Sequence, residues 1–528
     1  MERKWWTLIA VSVAMFMLLL DITVVNVALP DIQRSLHASF RDLQWVINAY
    51  ALTLAAFLLT AGSLADLLGR RRVFVAGLVV FTLSSAACGL AGSSLVLNLA
   101  RAVQGVGGAM MFATSLALIA QAFQGKERGI AFGVYGGVIG AAVAVGPVIG
   151  GVITSGIGWE WIFFVNVPIG VLAVLVTRRQ VEESRDPDAT GVDWIGLVTF
   201  SGSLFLLVFA LVQGNELGWG STRIVTYLTG SALLIVLFVI AELRQRRPML
   251  DLTLFRRPAF AGASIVAFTV SASMFSMFLY LTLYIQDVLG YSPLQAGLRF
   301  LPVTLVSFVV APLSGRLSVR VPIRLLLGCG LLLVSGGLLA MSAVNASSGW
   351  TTLVPGFLLA GAGIGMINPP LASTAVGVVH VSRSGMASGI NNTFRQVGIA
   401  TGIAGLGAIF QHDVTHNTTA ALAASVPGRH VITEMHSSLA GALVSGEVKG
   451  IAHALPGTGR AALVQAYHVG FTSALSTILV IASAIALTGA VLGFALVRGR
   501  DFISSEHEAP EPSEGAQAHG EPLHAGAS

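Results

Sequence analysis

Long apolar runs separated by short polar segments dominate this chain. Fourteen of them come close to the roughly 20 residues that an α-helix needs to cross a hydrocarbon core about 30 Å thick. They cover residues 6–29, 43–64, 73–92, 95–123, 130–154, 161–178, 194–213, 223–242, 259–285, 295–316, 323–344, 351–376, 386–410 and 468–497. The third and fourth runs are separated only by Ala91–Ser94. The first run is too long for a signal-peptide core and ends in no small-residue cleavage site, so it reads as a retained span. Two segments depart from the pattern. From Gln411 to Tyr467 lies a long connection with enough Ala, Leu and Val for short amphipathic helices resting on the outer face. The tail from Glu506 is rich in Glu, Pro, Gly, Ala and His with almost no large apolar residues, a composition expected to stay disordered.

Charge orients the runs. Of 528 residues 55% are hydrophobic and only 10% charged, against about 25% in a soluble protein, so lipid is the expected solvent. With the N-terminus inside, the inner segments hold 21 of the 30 basic residues and the outer segments six, three of them in the one long loop. That asymmetry is the positive-inside pattern, and a missed span would scramble it, so both termini are expected in the cytoplasm. The basic balance therefore marks membrane orientation, and no nucleic-acid partner is expected. Cys88 and Cys329 lie in apolar runs without CxxC spacing, which argues against a disulfide framework, a zinc site or a thiol redox motif. The only Gly-Lys pair, Gly125-Lys126, is followed by Glu127, so no phosphate-binding loop of an ATP-driven pump exists. The histidines scatter through the outer loop and tail, so no enzyme-like cluster forms. Neither a cofactor nor a metal is expected.

A few charges remain inside the spans. Asp21 sits about fifteen residues into the first, roughly 22 Å from the inner surface and 12 Å from the outer one at 1.5 Å per residue. Arg101 lies about 9 Å below the outer surface on the fourth span. The two share a depth and can pair, directly or through water, if their helices face one cavity; a purely structural ion pair is the alternative. Gln104 lies one turn deeper, beside Gly105, Gly107 and Gly108. Arg395 falls near mid-membrane among Asn391, Asn392 and Gln396, a group that either lines a cavity or ties helices by hydrogen bonds. Asn26 and Gln104 are further candidates to line that cavity. Arg299 is within a turn of the outer surface and can snorkel. Asp193, Glu242 and Asp287 sit at span ends, where solvation is expected. Asp21 is left as the deep carboxylate, and a buried carboxyl can load and release a proton as its access changes.

Motifs add to this. In "GSLADLLGRRR", Gly62 to Arg72, Asp66 and Arg70 stand at i and i+4 and can pair, while the arginines also satisfy the inside-charge rule. In "GPVIGG", Gly146, Pro147, Gly150 and Gly151 permit a kink and close contact with a facing helix. With "LDITVVNVALP", "RAVQGVGG", "YIQDVLGYSPLQAGLRFLP" and "ASGINNTFRQVG", these stretches resemble the major facilitator superfamily, and within it the fourteen-helix drug:proton antiporters of the EmrB/QacA type. Two departures stand out: Ala142 replaces a glycine often found upstream of the fifth-helix motif, and "GRLSVRVP" has Val319 and Pro322 where a second loop motif would have Asp and Gly.

The resemblance implies an all-α membrane protein with the major facilitator fold: two six-helix bundles around a central cavity, plus two inserted helices. The N-terminal bundle would span 1–180, the inserted seventh and eighth helices with their linkers 181–258, and the C-terminal bundle 259–500 including the loop 411–467, followed by the tail 501–528. It implies a cytoplasmic gate built on Gly62, Asp66, Gly69, Arg70 and Arg71, and an antiporter motif in Gly146, Pro147, Gly150 and Gly151. Asp21 and Arg101 would couple protons, and Asn26, Gln104, Asn391, Asn392, Arg395 and Gln396 would line the cavity. The implied activity is export of drugs or other small amphiphilic compounds against inward proton flow across a bacterial cytoplasmic membrane. Transport of one specific metabolite on the same fold, in either direction, is the rival. Apart from the resemblance, a single deep acid gives weaker support for multivalent cations than several would, and Arg101 and Arg395 could suit neutral or anionic compounds; a hydrophobic antibiotic, dye or related toxic compound is the expected substrate.

Overall fold

A computed structural model of the chain describes residues 2–38, 40–185, 193–245, 250–318, 320–379, 383–434, 455 and 457–498. Within them every regular element is helical. The chain order is α1 (Arg3–Leu36), α2 (Phe40–Leu68), α3 (Arg70–Gly89), α4 (Ser94–Ala122), α5 (Gly125–Gly156), a short α6 (Trp161–Phe164) running into α7 (Asn166–Gln180), α8 (Trp194–Leu217) and α9 (Thr222–Arg244). Then come α10 (Pro258–Val270), α11 (Ser276–Leu283), α12 (Pro293–Arg299), α13 (Leu301–Leu317), α14 (Ile323–Met341), α15 (Val354–Gly377), α16 (Ser384–Ala423), α17 (Val426–Glu434) and α18 (Gly457–Leu496). Eleven helical segments among the described residues are long and apolar enough to cross a membrane.

Local chemistry sets many of the ends. Ser93, Asp193 and Ser221 accept a hydrogen bond from a backbone N–H in the first turns of α4, α8 and α9, satisfying donors that a helix start leaves free. Ser292 and Gln295 form a reciprocal capping box at α12, whose first residue is Pro293. Between α2 and α3 the chain turns on Gly69 at φ 110°, a conformation that a side chain disfavours. Two single π-helical turns, Ser271–Phe275 and Tyr284–Val288, interrupt the span that begins with α10.

Some boundaries differ from those read off hydropathy. α1 is helical from Arg3 and continues through Pro30 to Leu36. α16 and α18 project well past their apolar runs, α16 to Ala423 and α18 starting at Gly457. Apolarity ends at Phe410, but nothing from Gln411 to Ala423 breaks a helix: no Gly or Pro interrupts it before Pro427. The α16 projection is tied to α18 where Asn417 donates to Ser473. The connection from residue 435 to 454 and the tail from 499 lie outside the described residues.

Packing places the site. α4 lies between α2 and α3, α1 packs on α5, α4 and α7, and a second group forms from α13, α14, α15, α16, α18 and α10. The two groups meet along α2 with α16 and along α5 with α13, and α8 and α9 stand beside this seam, α8 against both α2 and α16. α9 leaves Leu233, Val236, Leu237 and Leu243 exposed, an apolar face suited to lipid.

The connectors α2–α3, α4–α5 and α7–α8 gather at one end of the bundle. There Lys4 pairs with Glu127 at 2.8 Å, Arg3 with Glu182 at 3.2 Å, and Arg71 and Arg72 both reach Glu183 at 3.6 Å. The carboxylates at Asp193 and Glu242 are not solvated as their positions suggested. Asp193 caps α8 and accepts from Gln245 at 2.8 Å, and Glu242, only 4% exposed, accepts from the Leu250 N–H. Both close the base of the α8–α9 pair.

Candidate functional site

The deep carboxylate is held by a closed polar cluster. Asp21 on α1 is 2% exposed and Arg101 on α4 is 1% exposed. Arg101 Nη1 donates to Asp21 Oδ2 at 2.5 Å and to Gln104 Oε1 at 2.7 Å, and its Nε donates to the Val46 carbonyl of α2 at 3.0 Å. Gln104 Nε2 and Asn166 Nδ2 both donate to Asp21 Oδ1, at 3.1 and 3.3 Å. Asn166 also donates to Ser85 Oγ, whose own proton goes to the Phe163 carbonyl. The Arg101 guanidinium lies over the Tyr50 ring at 4.3 Å. Such a set offsets the cost of the two charges in an apolar interior, because each is paired and further hydrogen-bonded.

Helix packing makes the cluster possible. A Cβ at Gly105 would fall on the Tyr50 carbonyl, so the bare glycine lets α4 close on α2 and brings Arg101 to the Val46 carbonyl. Of this cluster the sequence pointed to Asp21, Arg101 and Gln104. It missed Asn166, Tyr50 and Ser85. A lone Asn in the apolar run "FFVNVPIG" is the signal that could have found the first; an apolar-run Tyr or Ser carries no comparable mark. Gln104 faces the ion pair, where a cavity-lining position had been expected.

The loop motif forms a second cluster at the arginine-rich end. Asp66 accepts from Arg70 through Nε and Nη2, both at 2.9 Å. It also accepts from the backbone N–H groups of Gly385 at 3.0 Å and Met386 at 2.7 Å. Those amides belong to the first turn of α16, so a carboxylate from α2 caps a helix of the other group and meets the positive end of its dipole. Gly62 stands where its Cβ would strike the Gly385 carbonyl, which is how α2 and α16 come close enough for this contact. Gly69 shapes the turn beside the Glu183 carboxylate, which accepts from the Arg71 N–H at 3.0 Å.

The fifth-helix motif packs on α1. Cβ atoms at Gly146 and Gly150 would meet Thr23 and Val24, whereas Gly151 has open space. The helix stays continuous across Pro147, although the side chains of Pro147 and Asn26, and residue Val319, lie outside what is described.

A third polar group lies at the seam. Asn368 on α15 and Asn391, Asn392 and Arg395 on α16 line a cavity of about 20 Å³ with Tyr135, Phe112, Leu116 and Ile139 from the first group. Arg395 Nη2 donates to Asn368 Oδ1 at 3.0 Å, Asn392 donates to the Phe112 carbonyl at 3.2 Å, and the Tyr135 and Ser115 hydroxyls share a hydrogen bond of 2.9 Å. Gln396 is half-buried and does not reach this lining. Arg299 is held more firmly than a snorkelling side chain: its guanidinium lies 3.3 Å from the centre of the Tyr291 ring and 5.5 Å from that of Trp350.

Comparison with known proteins converges on one family. The model of the Major Facilitator Superfamily matches residues 11–403. Multidrug resistance protein Stp of Mycobacterium tuberculosis is 39% identical over 433 residues, 81% of this chain and 80% of that protein. The tetracenomycin C resistance and export protein of Streptomyces glaucescens is 33% identical over 97% of this chain and 95% of its own length. Among solved structures, the human organic anion transporter TETRAN superposes with a TM-score of 0.59 over 92% of this chain and 99% of that one; at 14% identity the likeness concerns the fold.

Proposed function

Because the chain belongs to the major facilitator superfamily, we propose that it exports drug-like amphiphilic compounds across the cytoplasmic membrane in exchange for protons, conferring resistance. Two named relatives, a multidrug resistance protein and an antibiotic resistance and export protein, support the export direction. The reading is of a transporter, with small molecules and protons as its partners and no chemistry on a covalent bond. It takes the chain as fourteen spans: a bundle over 1–180, an inserted pair over 181–258 and a second bundle over 259–500, with the arginine-rich end in the cytoplasm.

The observation that carries the proton step is Asp21, buried at membrane depth with three side-chain donors from α4 and α7. Protonation would cancel its attraction for Arg101 and loosen α1 from α4, so occupancy by a proton and the relative stability of two helix arrangements become linked. A proton crossing a potential of 100 mV supplies about 2.3 kcal/mol to that cycle. Asp66 of α2, by accepting from the first turn of α16, would hold the cytoplasmic end shut in the state described, and the two groups would rock about the seam between them.

Transport in proteoliposomes under an imposed pH gradient tests this, with cationic, neutral and anionic drugs and with Asp21→Asn beside the wild type. Wild-type accumulation that follows the proton gradient, lost in Asp21→Asn, is the expected result. A mutant that still concentrates drug would remove Asp21 from the coupling step, and a wild type that moves no member of the panel would point to a specific metabolite instead.

A further inference from the structure

Among the described residues, one charge at the seam has no counter-charge. Arg70 and Arg101 each sit against a carboxylate, at 2.9 and 2.5 Å. Arg395 has none within 4.0 Å among the described residues, and its hydrogen bond goes to the neutral Asn368. Next to it Asn391 is 3% exposed, and neither its amide nitrogen nor its amide oxygen has a partner among the described residues. Both residues line the cavity between the two helix groups, and among the described residues no Asp or Glu lines it with them. The facing wall is mainly apolar, formed by Phe112, Leu116 and Ile139, with Tyr135 beside them and its hydroxyl tied to Ser115. A guanidinium is a planar fork of donors matched to a carboxylate, and a buried amide beside it adds a neutral donor.

Resting on the export reading above, we propose that Arg395 and Asn391 form the docking point for an anionic group of the exported compound. The substrates are then organic anions, carboxylates or ionised phenols on an apolar body, rather than lipophilic cations. Asn368 orients the guanidinium, and Phe112, Leu116 and Ile139 receive the apolar part once the two helix groups part, since the cavity of about 20 Å³ in the closed arrangement has room for about one water. Asp21, deep in the first helix group, and Asp66, at its arginine-rich end, are each taken up by an arginine of that group, so neither is free to attract a cation at the seam. Release of an anion and entry of a proton both carry positive charge inward, so an inside-negative potential drives the two together.

Fluorescein and rhodamine 6G share a xanthene frame and carry opposite charge, which makes them the probes. Their binding to the purified full-length protein is measured by fluorescence anisotropy for the wild type, Arg395→Gln, Arg395→Lys and Asn368→Ala. The wild type should favour fluorescein, and Arg395→Gln should lower the ratio of fluorescein to rhodamine 6G affinity about tenfold or more, the effect of removing one partner of a buried charged contact. Arg395→Lys should recover part of that ratio, keeping the charge and losing the fork. A wild type that prefers rhodamine 6G, or a ratio that Arg395→Gln leaves unchanged, overturns the proposal. So does an equal loss for both dyes in Arg395→Gln and Asn368→Ala, which would make the arginine a tie between α15 and α16. Proton-driven movement of the dyes in proteoliposomes decides the export reading separately: a binding preference without transport keeps the anion site and removes export, and transport with no preference does the reverse.

Discussion

Removing the Asp66 carboxylate should open the arginine-rich end of the bundle. Of its four hydrogen bonds, the two from Arg70 lie within one connector and survive a rocking motion. The two from the Gly385 and Met386 amides join the helix groups and are lost when α2 leaves α16. A hydrogen bond to a charged group contributes about 1.5–3 kcal/mol. Taking the low end, since water recovers part of the loss on opening, the two together favour the closed arrangement by about 3 kcal/mol. Asp66→Ala should therefore shift the closed-to-open ratio by roughly a hundredfold, and Asp66→Asn, which keeps one acceptor oxygen and no charge, by less. Ser388 on α16 is fully buried and serves as the reporter once changed to Cys in a Cys329→Ser background, Cys88 being buried. The readout is its rate of reaction with a membrane-impermeant maleimide in inside-out vesicles. Rates within about twofold of the parent in both Asp66 variants would refute the idea that this contact holds the end closed.

Two further expectations follow from the same geometry. Arg101→Ala leaves the Asp21 carboxylate buried without a cation and should cost about 3–5 kcal/mol, whereas Arg101→Gln combined with Asp21→Asn should recover much of it; simply additive losses in thermal unfolding would argue against a coupled pair. Gly105→Leu should force α4 off the Tyr50 carbonyl and cost about 1–3 kcal/mol or more, while Gly151→Ala, with nothing within 4 Å of its added carbon, should cost no stability; equal melting temperatures for the two variants would contradict the close-approach argument.

The helical class and most helix positions were legible in the chain because apolar length is a local property that lipid selects directly. Depth was legible too, since a fixed rise per residue places Asp21 and Arg101 at one level, and the ion pair follows if α1 and α4 are neighbours. Helix ends beyond the bilayer were not, because hydropathy marks where lipid stops and not where a helix does; α16 runs on to Ala423 through residues that water and helix both accept. Solvation at span ends also misled for Glu242, which the fold folds inward onto the Leu250 amide. Partners around a helix axis were invisible: Asn166 reads as one polar residue in an apolar run, and no rule of spacing says that it points at Asp21, 145 positions away. Asp66 shows the limit most plainly. Its pairing with Arg70 is written in an i, i+4 spacing, but its contact with the first turn of α16 is made to backbone amides 319 and 320 positions away, groups that every residue except proline carries and no sequence can single out. The sequence determined what each helix is and how deep each charge lies. Which faces meet, and so which charges are paired and that Arg395 has no counter-charge among the described residues, was decided only when the helices packed.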